Sequence, residues 1–357
     1  MTSPRGAVLT LVVLATLAGC GAAPTAVATT TPALATPSPS PSPARATPRA
    51  TAVAAPLPSL SLLIEPAAGM GAMYSLIASA RHTVDLTMYE LEDTQAEDAL
   101  AADAERGVDV RVILNSSYTS SDNDAAFAYL QAHSVHVRWA SSRYALTHQK
   151  TLVVDTTVSV VMTLNWTSRY YYDTRDVAVI DRSPADIAAI QATFNADYDG
   201  AAITPASGAD LVWSPTTALD SLIGLIDGAS RSLYVENEEM DSSDITDALV
   251  AAARRGVDVV VCMTNSSSWT SAFRELVDAG VHLRVYSPDA ALYIHAKVLV
   301  RDPGASDQEA FAGSQNFSTE SLLYNRELGV VIRSSALIGQ LATMIEGDYD
   351  GAATWTS

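Results

Sequence analysis

From residue 59 onward this chain states nearly the same sequence twice, and that duplication limits its fold more than any other feature. Glu105-Arg-Gly-Val-Asp-Val110 returns as Arg254-Arg-Gly-Val-Asp-Val259. Asp197-Tyr-Asp-Gly-Ala-Ala202 returns as Asp348-Tyr-Asp-Gly-Ala-Ala353, and Val135-His-Val-Arg138 as Val281-His-Leu-Arg284. The offsets are 149, 151 and 146 residues. A period of that length means two domain-sized halves rather than a solenoid of short repeats. The halves are expected over residues 59–203 and 209–357.

Each half has the same pattern of elements. A helix comes first (70–80; 217–228), then an apolar strand (83–89; 232–236). The next helix (95–106; 245–255) carries Ala and Leu at helical spacing and ends in Arg-Gly, a basic last turn with a glycine stop. The strand that follows (108–114; 257–263) is continuously apolar, as a strand covered on both faces should be. A further helix and a short strand (135–138; 281–285) lead on to a histidine. Alternation of this kind predicts an α/β fold of two similar α-β-α sandwich halves related by a pseudo-twofold axis, with the active site at their interface.

The stretch before residue 59 has a different character. Arg5 precedes an apolar run from Ala7 to Ala18, long enough for the hydrophobic region of a secretory leader and too short to span a bilayer. The run ends in Leu17-Ala18-Gly19-Cys20, which resembles a bacterial lipobox. Residues 1–20 are expected to be a lipoprotein signal peptide with Cys20 as the lipidated residue, the alternative being an ordinary secretory signal. Residues 21–58 are almost wholly Ala, Thr, Pro and Ser and are expected to form an extended tether. The expected location is extracytoplasmic, anchored to the bacterial membrane by lipid or secreted. With Cys20 modified, Cys262 has no partner for an intramolecular disulfide. It lies in the apolar run 257–263, where a buried inert thiol is expected.

The formal net charge is −19. A field of that sign repels polyanions and argues against sequence-independent nucleic-acid binding, which relies on Lys and Arg neutralising phosphates. Only two residues in the chain are lysine, Lys150 and Lys297, and each stands two positions after a histidine.

These lysines belong to the motifs His148-Gln-Lys150-Thr-Leu-Val-Val-Asp155 and His295-Ala-Lys297-Val-Leu-Val-Arg-Asp302, both H-x-K-x-x-x-x-D. On a strand, residues two apart face the same way, so each His and Lys project together. Polar loops follow: Met162-Thr163-Leu-Asn165 with Thr174-Arg-Asp176, and Gly313-Ser314-Gln-Asn316 with Asn325-Arg-Glu327. Breaking a phosphodiester needs a nucleophile, a proton for the leaving oxygen and cations around the phosphate. Imidazole suits the first two tasks because it titrates near neutrality. Lysines and amides suit the third.

On these motifs the chain resembles the phospholipase D superfamily, whose signature is a duplicated H-x-K-x4-D followed by G-S-x-N. The resemblance covers both halves. It implies phosphodiester hydrolysis in phospholipids through a phosphohistidine, with possible transfer of the phosphatidyl group to an alcohol. It implies His148 as nucleophile and His295 as acid/base, roles that near-symmetry leaves exchangeable. Lys150, Lys297, Asp155 and Asp302 complete the expected catalytic set, and Asn165, Ser314 and Asn316 the expected phosphate contacts. Thr163 and Glu327 are expected in support, and a carboxylate at the second nitrogen of each histidine would fix its tautomer. The resemblance implies no cofactor or metal, and the sequence shows no separate cluster with metal-ligand spacing.

The first half departs from the pattern at Met162-Thr163, where the bulk of Met162 is expected to reshape the pocket, and at Asp176, which stands where the second half has Glu327. Tyr170, Tyr171 and Tyr172 form one run, and at least one ring is expected at the site mouth. Glu90, Glu236, Glu238 and Glu239 follow strands and read as solvated or as contacts to a cationic headgroup. The remaining histidines, His136 and His282 among them, read as surface or strand-packing residues. The alternatives are a secreted endonuclease of the same superfamily, which needs a basic groove, and a non-catalytic surface-binding lipoprotein, which would have lost a His or Lys. A monomer acting on a phospholipid or other phosphodiester at a membrane is expected, and nucleic acid is not an expected partner.

Overall fold

The computed structural model describes residues 59–116 and 120–356. The leader, Cys20 and the tether lie outside the described residues. The first half runs β1 (Leu60–Glu65), α1 (Gly71–Ala78), β2 (Thr83–Met88), α2 (Thr94–Glu105), β3 (Asp109–Leu114), α3 (Ser120–Ala132), β4 (His136–Trp139), β5 (Thr151–Val154), β6 (Val158–Met162), β7 (Thr174–Asp181) and α4 (Pro184–Tyr198). The second runs β8 (Leu211–Ser214), α5 (Ala218–Asp227), β9 (Ser232–Glu236), α6 (Ser243–Arg254), β10 (Asp258–Thr264), α7 (Thr270–Asp278), β11 (His282–Tyr286), β12 (Tyr293–Ile294), β13 (Val298–Arg301), β14 (Glu309–Gly313), α8 (Thr319–Leu323), β15 (Glu327–Ile332), α9 (Ser335–Gly351) and β16 (Ala353–Thr354). Each strand and helix expected from the repeat is present within about two residues of its expected ends.

The two sheets have one topology. The first is ordered β1-β7-β6-β5-β2-β3-β4 and the second β8-β15-β14-β13-β9-β10-β11, with β16 added at its edge. In each, three strands run parallel (β2, β3, β4; β9, β10, β11) and the returning strands antiparallel. Strand alternation explains the layers. Val84, Leu86 and Met88 on β2 join Met73, Ile77, Leu100 and Leu130 in an outer core against α1, α2 and α3. Asp85, on the opposite face, receives both Arg111 Nε and Nη2 at 2.7 Å and Gln191 of α4 at 2.6 Å. Helices α5, α6 and α7 cover the outer face of the second sheet in the same way. The inner faces meet: Val177 and Val179 of β7 pack with Val298 of β13 and Ala310 and Ala312 of β14, and Val153 and Val161 with Leu328 and Val330 of β15. Each such buried valine or leucine side chain contributes about 1.5–3 kcal/mol. Among the described residues, no helix is long and apolar enough to cross a membrane.

The halves are also stitched across the pseudo-twofold axis. β12, just ahead of His295, pairs in parallel with β7 of the first half, Tyr293 opposite Thr174 and Ile294 opposite Arg175. Reciprocally, Thr147, just ahead of His148, bridges in parallel to Arg326 of the second half. The repeated Asp-Tyr-Asp-Gly motif has its explanation here. Asp348 on α9 holds Arg175, whose Nη2 donates to Oδ1 at 2.8 Å, and Asp197 on α4 accepts from Arg326 Nη2 at 3.1 Å. Both arginines immediately precede the carboxylates that reach the site.

Candidate active site

The histidine segments enter at the starts of β5 and β13. Because these strands run antiparallel to β2 and β9, their starts lie beside the carboxyl ends of the parallel strands, where open α/β sheets place ligands. The crossed pairing then brings the segments together. His148 N and Gln149 N donate to Arg326 O, each at 3.0 Å, and His295 N donates to Arg175 O at 3.2 Å.

Each imidazole is held by a carboxylate from the opposite half. His148 Nδ1 lies 2.9 Å from Glu327 Oε2 and 3.1 Å from Ser314 O. Both are acceptors, so Nδ1 carries the proton and the lone pair of the neutral ring is on Nε2. His295 Nδ1 lies 2.8 Å from Asp176 Oδ1. The shorter Asp176 thus does for His295 what Glu327 does for His148. These carboxylates are themselves fixed. Ser321 Oγ and Asn325 Nδ2 donate to Glu327 Oε1 at 2.6 and 3.0 Å, and Thr163 Oγ1 donates to Asp176 Oδ1 at 2.5 Å.

Lys150 and Lys297 are fully buried beneath the histidines. Lys150 Nζ donates to His148 O at 2.7 Å and sits 4.9 Å from the Tyr89 ring centroid, and Tyr89 packs edge-on to His148. Lys297 Nζ donates to His295 O and, at 2.9 Å, to Glu238 Oε2. Glu238 Oε2 also lies 3.4 Å from His295 Nε2, and Tyr293 Oη donates to Oε1 at 3.3 Å. The cleft above holds about 530 Å³. Its walls include Asn165, Asn316, Glu90, Glu239, Tyr170 and Tyr171. Asn316 is buried, and its Oδ1, like that of Asn165, has no hydrogen-bond partner among the described residues.

The electrostatics follow from burial beside fixed charge. Burial pushes the His148 ring down to about 4, with Glu327 opposing and Lys150 assisting, so the ring is neutral near pH 7. Burial and the charge of Lys297 hold Lys150 well below the usual ammonium range. Burial alone would raise Glu327, Asp176 and Glu238. The adjacent histidines and lysines outweigh it and hold all three below the usual carboxylate range.

These shifts set an acid-stability prediction. Over the window from about 6.5 down to 4, the unfolded chain binds a proton at His148 that the folded one does not, so stability falls with pH across it, by about 3 kcal/mol. Glu327, Asp176 and Glu238 stabilise the fold above their unfolded values, and that contribution is lost as pH falls through their lower folded values. Urea titrations at pH 7.5, 6, 5 and 4.5 should show this decline, with His148→Gln flattening its upper part.

Several sequence expectations are corrected. Asp155 and Asp302 are not at the reacting centre. Each lies five residues beyond its lysine, about 17 Å along a strand. Asp155 accepts the backbone N–H groups of Arg81, His82 and Thr83, and Asp302 those of Ser230, Arg231 and Ser232 together with the Ser230 hydroxyl. They pin the starts of β2 and β9 and stand at φ +50° and +47°, which Asp tolerates better than most residues. Asp302→Ala should therefore cost stability first, about 3 kcal/mol by denaturant melts, with the chemical step retained at temperatures where the fold survives.

Ser314 does not present its hydroxyl to the cleft. Its Oγ donates to Leu328 O at 3.4 Å and accepts from Leu328 N at 3.2 Å, tying β14 to β15. Thr163 makes the equivalent tie to Val177 N at 2.9 Å. Met162 does not line the cleft, because its side chain is in the outer core. In the second half Gly313 takes that position. A Cβ there would meet Gly329 Cα at 2.4 Å, and the ring of Phe311 fills the adjoining space. Met162 and Val160 of β6 thus stand where β14 has Gly313 and Phe311.

Glu236 is not solvated, and Glu238 is only partly exposed, at the cleft wall with its carboxylate on Lys297. Glu236 is wholly buried, and its carboxyl is raised well above the usual range by burial and by nearby Asp348. His136 and His282 are exposed beside Asp109 and Asp258, as expected of surface residues. Cys262 is buried and unpaired. Glu90, Glu92 and Asp122 bring carboxylate oxygens within 4.8 Å of one another at the rim, a grouping that sequence spacing does not reveal, and Arg169 pairs with the first two. The sequence offered Glu238 only as a solvated residue or a headgroup contact and did not place it against Lys297 and His295. The signal for that place is its alignment with Tyr89, each six residues after equivalent strand starts.

Comparison with known proteins agrees with this architecture. The family described as cardiolipin synthase, PLD-like domain, matches residues 73–198 and again 222–349. Cardiolipin synthase A of Yersinia pseudotuberculosis is 24% identical over 343 residues, covering 81% of this chain and 68% of that protein. Cardiolipin synthase A of Proteus mirabilis is 31% identical over 142 residues, 38% of this chain and 28% of that protein. Among solved structures, phosphatidylserine synthase of Haemophilus influenzae superposes with a TM-score of 0.64 at 11% identity, covering 83% of this chain and 87% of that one. Polyphosphate kinase of Porphyromonas gingivalis gives 0.64 at 14% identity, covering 80% and 46%. At such identities the two structures speak for the fold alone. With the family matched once in each half, the chain belongs to the phospholipase D superfamily.

Proposed function

We propose that this protein cleaves phosphodiester bonds in phospholipids through a phosphohistidine and passes the phosphatidyl group to water or to an alcohol. The observation that carries this reading is the pair of imidazoles in one cleft, each with Nδ1 committed to a carboxylate of the other half and Nε2 turned to the reacting space. His148, neutral, attacks phosphorus through Nε2 as the bond to the leaving oxygen breaks. His295 gives that oxygen a proton. In the second step His295 takes a proton from the incoming water or alcohol, whose oxygen bonds to phosphorus as the His148–phosphorus bond breaks. Lys150, Lys297, Asn165 and Asn316 stabilise the non-bridging oxygens as charge develops.

Transfer to an alcohol is favoured by the relatives, which are named as synthases of cardiolipin and phosphatidylserine. The acidic cleft walls and the net charge of −19 favour a lipid over a nucleic acid. The lipobox-like Leu17-Ala18-Gly19-Cys20 supports attachment at a membrane surface outside the cytoplasm, with residues 21–58 as tether. The test incubates the purified protein in EDTA with phosphatidylcholine and phosphatidylglycerol vesicles, and separately with plasmid DNA. Headgroup release or new phosphatidyl esters by mass spectrometry are expected. Nicked DNA without lipid cleavage would overturn the reading.

A further inference from the structure

Around the reacting groups most differences between the halves are conservative, as Asp176 for Glu327 and Thr163 for Ser314, but one changes the chemistry. Tyr89 and Glu238 are equivalent in the repeat, each six residues after the matched strand starts Thr83 and Ser232, which pair with Asp109 and Asp258. Tyr89 lays its ring against Lys150 and His148. Glu238 instead sets a carboxylate between Lys297 and His295 Nε2. Holding a buried lysine does not require this carboxylate. Among the described residues no carboxylate lies within ion-pair distance of Lys150, which rests on a carbonyl and a ring. About a quarter of the Glu238 side chain faces the open cleft.

We propose that Glu238 is a specificity-determining residue that binds a hydrogen-bond donor carried two carbons from the ester oxygen of the leaving or accepting alcohol. The class is a 1,2-diol or a 2-amino alcohol, as opposed to a simple alcohol. This rests on the reading above, in which His295 Nε2 exchanges a proton with that ester oxygen.

Three observations support it. An oxygen about 3 Å from Nε2 places a substituent on the second carbon of the alcohol within reach of Glu238 Oε2, which is 3.4 Å from the same nitrogen. A carboxylate repels the phosphate anion and offsets the charge of Lys297 paired with it, so the phosphate is drawn more strongly to the Lys150, Asn165 and Asn316 side and the His295 end is left for the alcohol. Tyr293 Oη donates to one carboxylate oxygen and Lys297 Nζ to the other, so the group is fixed in place as an acceptor.

The test compares vesicles of phosphatidyl-1,2-propanediol and phosphatidyl-1-propanol, which differ by one 2-hydroxyl. The wild type is expected to favour the diol ester in kcat/KM by about tenfold or more. Glu238→Gln is expected to shrink that ratio toward one, whatever its absolute rate. Glu238→Asp, used if the Gln variant does not fold, should shrink it as well. Equal cleavage of both esters by the wild type overturns the proposal, as does an unchanged ratio in the variants. Loss of all cleavage in a folded Glu238→Gln overturns it too, since the residue is then required for the chemistry itself. Failure of the wild type to cleave either ester is the distinct result that overturns the underlying lipid reading.

Discussion

His148→Ala should lower lipid cleavage by about four orders of magnitude or more, and should abolish covalent labelling of the protein by phosphate. The crossed geometry gives the reason. With Nδ1 donating to Glu327 and Ser314 O, the neutral ring has its lone pair on Nε2, at the cleft. Burial and Lys150 keep the ring unprotonated near pH 7, as a nucleophile requires. His295→Asn should lose turnover on natural lipids to a similar degree for a different reason, because no group protonates the leaving alkoxide. An ester with a nitrophenol leaving group needs no such proton. On it His295→Asn should still form the adduct and then stall, since no base activates water. Alkaline quench preserves the acid-labile phosphorus–nitrogen bond, and intact-mass analysis then reads the adduct. An adduct on His295 in the His148 variant would exchange the assigned roles, and normal turnover in either variant would remove both residues from the mechanism.

Glu327→Gln should reduce kcat by about 10²–10⁴ with a much smaller change in KM. Every neighbour of the Glu327 carboxylate is a donor: the His148 ring nitrogen, the Ser321 hydroxyl and the Asn325 amide. An amide placed there must turn its own N–H₂ toward one of them. If it faces His148, Nδ1 becomes an acceptor, the proton moves to Nε2, and the lone pair that attacks phosphorus is lost. The Gln variant also cannot balance the positive charge that develops on the ring. Nitrogen NMR of labelled histidine should report the changed tautomer directly. An unchanged kcat, or a loss expressed only in KM, would show that Glu327 does not orient the nucleophile. Asp176→Asn should act in the same way on His295, with Thr163 as the displaced donor.

Both predictions depend on contacts between residues far apart in the chain, which marks where sequence reading stops. The duplicated motifs, the strand and helix order and the two-sheet fold were all legible in the chain, because hydrophobic period and glycine stops act locally and the repeat reads each element twice. His148, Lys150, His295 and Lys297 were legible for a related reason: two H-x-K pairs hold the only lysines in a strongly acidic protein. The partner of each histidine was not legible. Asp155 and Asp302 belong to the same motifs, yet they cap strand starts, because five extended residues carry them away from the site. Asp176 and Glu327 lie outside those motifs and supply the carboxylates, because β12 and the Thr147 bridge carry each histidine into the opposite half. The sequence by itself determined the repeat, the architecture and the two His-x-Lys pairs. Only the tertiary structure decided which carboxylate faces which histidine, and that Glu238 rather than a second tyrosine stands beside His295. Those contacts arise from two sheets packed across a pseudo-twofold axis, and a long-range crossing leaves no period in the chain.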